Sequence, residues 1–471
     1  MRKRLAVLGA GPAGLCLAWR ILQRYPGVFE VVVLEKEETT GGIAGGFTTY
    51  GLNFDYGSHR LHPETGGVVF QDLKNMLGEE LQRRPRHGRI RILDKFVGFP
   101  LTVTGIIRRL PPGFIYGVAK DTVKKILRRN PGTAQSFAGA LLQGMGETVC
   151  RHFYFPYAEK LWGLKPDGLS VTQAEKRVAS DNIRKIVKKV LSAAVGRERT
   201  GSCFYYPTGG FGRICQEYAR AVKKAGGRVQ TASRVTGIRS TENNRFIIET
   251  EKPNFLPPEY DMVFSTLPVT ELVKIFTPVP PAVRTAAEGL TYRGMVFHYL
   301  ILKGNQFTPY DAHYFPEKKY IFSRVSEPKN YAGAPDPPGI TGLCSEIPCL
   351  PGDEIWNLSG DEISDRVITG LKEAGLPVAV PVVDSLVKRL PAVYPVYDLN
   401  FASHLAVVEK YFDKIPNIVT FGRQGLFTHD NTHHALETAY KAAECLEQNL
   451  VWNQSRWRRI KEEYKKRVVV D

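Results

Sequence analysis

The stretch Leu5-Ala6-Val7-Leu8-Gly9-Ala10-Gly11-Pro12-Ala13-Gly14 constrains the fold of this chain more than any other. Its apolar run reads as a strand buried on both faces, and its glycines, at G-x-G-x-x-G spacing, read as a sharp turn. Apolar residues at helical spacing follow from Ala13 to Gln23, and a second buried strand, Val31-Val32-Val33-Leu34, ends in Glu35. Strand, glycine turn, helix and acid-tipped strand together describe a dinucleotide site. Gly9 permits the turn, Gly11 lets the backbone approach a pyrophosphate, and Gly14 lets the helix sit close to the strands. Gly9, Gly11, Pro12, Ala13 and Gly14 are therefore cofactor-binding candidates, and Glu35 is placed to hold a ribose hydroxyl. Glycine spacing alone is weak in a chain with 44 glycines; the flanking strand and helix give it weight.

Lys36 follows Glu35, and a second glycine cluster, Gly41-Gly42-Ile43-Ala44-Gly45-Gly46, comes soon after. This arrangement resembles a large family of FAD enzymes that includes the amine oxidases, protoporphyrinogen oxidase, phytoene-desaturase-type enzymes and UDP-galactopyranose mutase. The resemblance implies FAD as cofactor, with Lys36 and Gly42 beside it. Bare glycines expose backbone donors as phosphate-binding nests do.

At 471 residues the chain exceeds one ordinary core, so two domains are expected. Flavin-type segments at the start, middle and end predict an α/β protein with a discontinuous Rossmann-type, glutathione-reductase-like FAD-binding domain and an interleaved α+β substrate domain. The expected divisions are 1–80, 201–269 and 401–450 for the FAD domain, 81–200 and 270–400 for the substrate domain, and 451–471 for a basic C-terminal helix. That helix is open to two readings, a solvated end or a peripheral membrane contact.

The opening strand begins directly after Met1-Arg-Lys-Arg, which leaves no room for a signal peptide, and no apolar stretch is long enough to span a bilayer. A cytoplasmic protein, at most peripheral to a membrane, is expected. Seven cysteines without a C-x-x-C argue for reduced thiols. His59/His62 and His429/His433/His434 lack nearby cysteines, so no metal is expected. The charge of +17 is uneven: from Arg83 to Arg129 thirteen Lys or Arg face only Asp94 and Asp121. A solvated basic face and an anionic partner both fit. The partners in question are a phosphorylated small-molecule substrate or an anionic membrane; no nucleic-acid module is recognisable, and the oligomeric state is left open.

Three further segments sharpen the resemblance. Gly57-Ser58-His59-Arg60-Leu61-His62 is similar to the G-x-H-x-x-H stretch of the mutase branch, which implies that Gly57, Ser58 and His59 lie near the flavin. An imidazole titrating near neutrality there suits proton transfer, so His59 is the catalytic candidate. Lys160-Leu161-Trp162-Gly163, with Arg177 beyond it, is similar to the K-x-W-G segment and places Trp162 and Arg177 on the substrate side. Gly422-Arg423 and the run to Asn431, His433 and His434 resemble the family's last flavin segment, a strand entering a glycine turn and a helix N-terminus. Gly422, Arg423, Asn431 and His433 are cofactor candidates there, and the strand around Val235 is implied to lie beside the adenine. Arg389 and Tyr394, in Lys388-Arg389-Leu390-Pro391-Ala392-Val393-Tyr394, resemble cleft residues, with Arg389 able to clamp a phosphate or carboxylate. Arg324 is a further substrate candidate, and Arg293 a weaker one.

Two catalytic readings follow from the resemblance. One is an FAD-dependent oxidoreductase taking a hydride from an organic substrate. The alternative is a UDP-galactopyranose mutase-like enzyme acting redox-neutrally on a nucleotide sugar. Against the second, Gly201-Ser-Cys-Phe-Tyr-Tyr-Pro207 stands where the mutases carry a Y-x-D-x-Y-Q-type stretch, and Val-Ala-Ser-Asp follows Arg177 where they carry a further arginine.

Overall fold

The computed structural model describes residues 2–99, 105, 108–127, 133–177, 203–252, 259–333 and 337–469. Five parallel strands form one sheet, in the order Ile418–Thr420, Met262–Ser265, Lys3–Leu8, Phe29–Leu34 and Arg228–Gln230. Alternation along the strands explains their unbroken apolarity. Leu5, Val7, Val31 and Val33 face a core shared with the helices Pro12–Arg24, Arg213–Lys224 and Thr432–Ala443. Ala6, Leu8 and Val32 face a second core on the opposite side. The sheet is thus the parallel, doubly covered Rossmann type that the glycine motif implies.

A seven-stranded sheet stands beside it, in the order Val382–Pro395, Tyr292–Lys303, Ile340–Cys349, Arg324–Ser326, Ala312–Tyr314, Gly88–Ile92 and Lys95–Phe99. All neighbours are antiparallel except Ala312–Tyr314 and Gly88–Ile92. Its long central strand again divides by alternation. Met295, Phe297, Tyr299 and Ile301 join the core containing Trp162, while Val296, Leu300 and Leu302 pack under the helix Gly360–Glu373. Short helices from Phe137 to Arg177 close over the first of these faces.

Two expected boundaries shift. The helices Val269–Ile275 and Pro281–Glu288, expected from residue 270 onward in the substrate domain, bury Leu272, Val273, Val283 and Ala286 in the second core of the Rossmann sheet. The C-terminal helix Gln454–Lys465 is no separate element: Trp457 and Ile460 join the first core, Lys461 pairs with Asp413 at 2.6 Å, and Tyr464 donates to Asp430. Its apolar face is spent on the protein, so that face is not available for insertion into a membrane. Among the described residues no helix is long and apolar enough to cross a membrane.

A β-carbon on Gly14 would stand 2.0 Å from the Gly9 carbonyl oxygen, in backbone that cannot move aside. Gly14→Ala is therefore expected to cost on the order of 1–3 kcal/mol, as overpacking does, in chemical denaturation of the purified protein.

Candidate functional site: a cavity between the two sheets

Four chain segments meet at the carboxyl ends of the Rossmann strands. Gly9 has φ of 98°, and a β-carbon there would strike Thr266 Oγ1 at 2.3 Å. The Gly41 N–H donates to the Ala10 carbonyl at 2.9 Å, docking the second glycine cluster on the first turn. Gly422, with φ of 73°, has no room for a side chain either, because its β-carbon would lie 2.9 Å from Ala13 Cβ. Glu35 ties the turn to the second strand, accepting from Ala10 N at 2.8 Å and from Glu37 N at 3.0 Å.

Gly11 differs from these. Nothing of the protein comes nearer than 3.8 Å to its would-be β-carbon, and it lines a cavity of about 1210 Å³. It also forms the N-cap of the helix Pro12–Arg24, with no side chain capping the first turn and no acidic residue in it. Free N–H groups and a positive helix end at an open glycine are what a pyrophosphate requires. The residues present thus fit FAD, with Gly11, Pro12, Ala13, Glu35, Lys36, Gly42 and Val235 on the cavity wall at this end. A second helix, Thr432–Ala443, points its N-terminus at the same cavity through Asn431 and Thr432.

The far wall is built by strand register. Lys388 lies opposite Phe297, Phe297 opposite Glu346, Glu346 opposite Arg324, Arg324 opposite Tyr314, and Tyr314 opposite Ile90. All six line the cavity, so one cross-strand row crosses the substrate sheet as a continuous wall. Arg324 grips Glu346 with two hydrogen bonds of 2.7 Å, and Glu346 also accepts from Ser58 N at 2.8 Å. The segment Gly57-Ser58-His59 is thereby pinned across this row; a β-carbon on Gly57 would meet Phe297 at 2.8 Å. Aromatic and aliphatic side chains close the end away from the Rossmann turns: Phe99, Phe137, Phe153, Tyr154, Tyr157, Leu161 and Trp162.

The expected residues do not all converge. His59, Ser58, Gly57, Trp162, Arg324, Tyr394, Arg423 and Asn431 line the cavity. Arg423 donates to the Asp430 and Val393 carbonyls and lies 5.0 Å from the Tyr394 ring centre. Gly14 and Gly422 act behind the wall as close-packing positions. His433 is also behind it, buried and stacked 5.3 Å from His62. Arg177 ends the helix Val171–Arg177, and its side chain lies outside the described residues.

Arg389 is a correction. It sits opposite Val296, one residue out of step with the cavity row, so its side chain leaves by the other face. There it donates to the Trp356 and Leu358 carbonyls at 2.9 and 2.5 Å, whereas Lys388 and Leu390 face the cavity. Arg293 is likewise engaged elsewhere, donating to the Lys160 and Leu161 carbonyls, both at 3.4 Å. His59 departs from the near-neutral titration expected of it. Burial pushes its pKa down to about 4 against the opposing charge of Glu346, and its Nε2 lies 2.9 Å from the Tyr56 carbonyl oxygen while the ring stacks on Phe211 at 5.3 Å. A neutral imidazole held in this way positions and donates; it does not carry a charge at neutral pH.

Several wall residues had no sequence signal. Glu346 and Tyr314 lie in ordinary-looking strands, and Arg60, which donates to Asp311 at 3.2 Å and to Tyr331 Oη at 3.1 Å, is masked by the histidines around it. Lys160 was visible as part of K-x-W-G, but its task is to donate to the carbonyls of Phe315 at 2.8 Å, Phe322 at 3.0 Å and Glu317. Burial lowers its pKa to about 7.

A discontinuous Rossmann layer, glycine turns around an open pyrophosphate cradle and a cavity roofed by a second sheet define a two-domain dinucleotide-dependent enzyme. More narrowly, the chain belongs to the flavin-containing amine oxidoreductases, whose family model matches residues 12–446, and FAD is its cofactor. A reduced UDP-galactopyranose mutase superposes with a TM-score of 0.77 at 20% identity, covering 98% of this chain and 99% of the other. Cyclohexylamine oxidase from Brevibacterium oxydans IH-35A gives 0.62 at 14% identity, covering 98% and 99%. A CLA-producing fatty acid isomerase from P. acnes gives 0.61 at 14%, covering 93% and 97%. A comparison with curated proteins gives no match. At these identities the shared property is the fold.

Two outcomes are expected. Gly11→Val is expected to abolish flavin retention, read as the visible absorbance of the purified protein, while leaving apoprotein melting close to wild type because the position is open on the protein side. For His59, a folded pKa below the unfolded value means that stability is intact above about 6.5 and is lost as pH falls, since only the unfolded chain takes up the proton. The stability of wild type relative to His59→Gln is therefore expected to shrink by roughly 1.4 kcal/mol per pH unit between about pH 6 and 4.5 in denaturant titrations.

Proposed function

We infer that this chain is an FAD-dependent oxidoreductase that removes a hydride from a largely apolar organic substrate. One observation carries the reading: the substrate end of the cavity is walled by Phe99, Phe137, Phe153, Tyr154, Tyr157, Leu161 and Trp162. Such a wall excludes water and orients a C–H bond by shape, which is what a protein contributes to hydride transfer. FAD supplies the two-electron acceptor, the substrate loses a hydride and a proton, and an external oxidant such as dioxygen or a quinone finally takes the electrons.

The polar groups around this end hold positions. Arg324 is neutralised by Glu346, Lys160 is committed to backbone carbonyls, and His59 is neutral. Arg60, also on the cavity wall, is likewise neutralised, by Asp311 at 3.2 Å. Gly11, Glu35, Gly42, Val235 and Arg423 would hold the cofactor, with Ser58, His59 and Asn431 towards its reactive end and Trp162, Arg324 and Tyr394 towards the substrate.

The redox-neutral alternative, on a nucleotide sugar, draws on the likeness to UDP-galactopyranose mutase. Its expected phosphate clamp, Arg389, is occupied by the Trp356 and Leu358 carbonyls. The two reactions separate cleanly in an anaerobic cuvette. Bleaching of the visible flavin bands by an apolar amine or carboxylate substrate, with no added reductant, is the expected result. Turnover of UDP-galactopyranose seen only after dithionite reduction, with no substrate able to bleach the oxidised enzyme, would overturn it.

A further inference from the structure

The helix Pro112–Leu127 presents an apolar stripe to solvent. Tyr116, Val123 and Leu127 are 71%, 55% and 75% exposed, and their spacing of seven and four residues puts them on one face. Ile126, 76% exposed, and Ala119 flank the stripe on one side; Lys120 and Lys124, both exposed, flank it on the other. Exposed Arg108 and Arg109 continue the positive charge at the helix entry. Asp121, the acidic residue within the helix, turns inward and accepts from Thr148 N at 2.7 Å.

The inner face of the helix is firmly seated. Phe114 joins the cluster of Ile90, Ile92, Val97 and Leu110, against which Phe99 and Phe153 also pack. Ile90, Phe99 and Phe153 are themselves cavity-wall residues. The helix and the one layer of side chains beneath it therefore separate the exposed stripe from the apolar end of the cavity.

We propose that the outer face of Pro112–Leu127 docks on an anionic lipid bilayer, with Tyr116, Val123, Ile126 and Leu127 at the acyl boundary and Lys120 and Lys124 among the headgroups. Charge decides the occupant: an apolar stripe bordered by lysines on a basic surface suits anionic headgroups and opposes a second copy of the same basic face. The lysine stems extend the apolar area while their ammonium groups reach the phosphates. Docking in this orientation sets the apolar end of the cavity against the membrane. The inference stands on the helix surface and is independent of which reaction the cavity performs.

The test is co-sedimentation of the full-length, FAD-loaded protein with vesicles of phosphatidylcholine and phosphatidylglycerol, against vesicles of phosphatidylcholine alone. Binding to the anionic vesicles, weakened by salt at about 0.5 M, is expected. Ile126→Ser/Leu127→Ser and, separately, Lys120→Glu/Lys124→Glu are each expected to weaken partitioning at least about tenfold, with flavin absorbance and melting temperature unchanged. The second variant replaces exposed charges only, so it tests the docking even if the first folds poorly. Absence of binding by the wild-type protein at low salt, or binding by the charge-reversal variant equal to wild type, would overturn the proposal. So would a fall in sedimentation mass of the serine variant with vesicle binding intact, since that would show the stripe joining two copies.

Discussion

The structure depends on backbone packed against backbone where the glycine turns converge. The Gly9 turn leaves no space at Thr266, Gly14 is pressed against the Gly9 carbonyl, Gly41 hydrogen-bonds to Ala10, and Gly422 abuts Ala13. Segments more than 400 residues apart in sequence are thus brought to within van der Waals contact. Side chains at these positions would hold the sheet, the first helix and the last strand apart. Gly11, by contrast, keeps open space in front of it, and that space is the end of the cavity where a pyrophosphate fits.

Around this fixed point the second sheet acts as a roof whose lining is set by register. A row of residues, one from each of six neighbouring strands, faces the cavity, and the ion pair of Arg324 with Glu346 stiffens its middle. Burying that pair is costly unless further hydrogen bonds satisfy it, and Glu346 also accepts from the Ser58 N–H. The same contact seats His59, so the roof and the Gly57–His59 loop position each other. Lys388 completes the closure by reaching Glu37 beside the Rossmann strands at 3.0 Å.

Burial also changes what the titratable groups can do. The imidazole of His59 and the amine of Lys160 are both shifted toward their neutral forms by desolvation. Asp55, just before the His59 loop, moves the other way: desolvation raises its pKa to about 7 although Tyr206 and the Phe211 N–H both donate to it. The segment Asp55–His59 is held by hydrogen bonds and packing more than by charge. This suits a site that must stay dry beside an apolar wall.

The glycine spacing, the doubly apolar strands and Glu35 were legible in the chain because they are local: turn geometry and two-sided burial leave their pattern in consecutive residues. They determined the Rossmann layer, the dinucleotide and, through the second glycine cluster, the family likeness. The tail helix stayed open between two readings because a basic amphipathic sequence looks the same whether its apolar face meets lipid or, as here through Trp457 and Tyr464, the protein's own core. Arg389 misled for a related reason: an arginine near a tyrosine pair carries no mark of which sheet face it leaves by. That choice is made by pairing with Val296, a residue some ninety positions away, and a shift of one residue would have exchanged it with Lys388. Which residues wall the cavity was therefore decided only by tertiary structure, because strand register is a relation between distant segments.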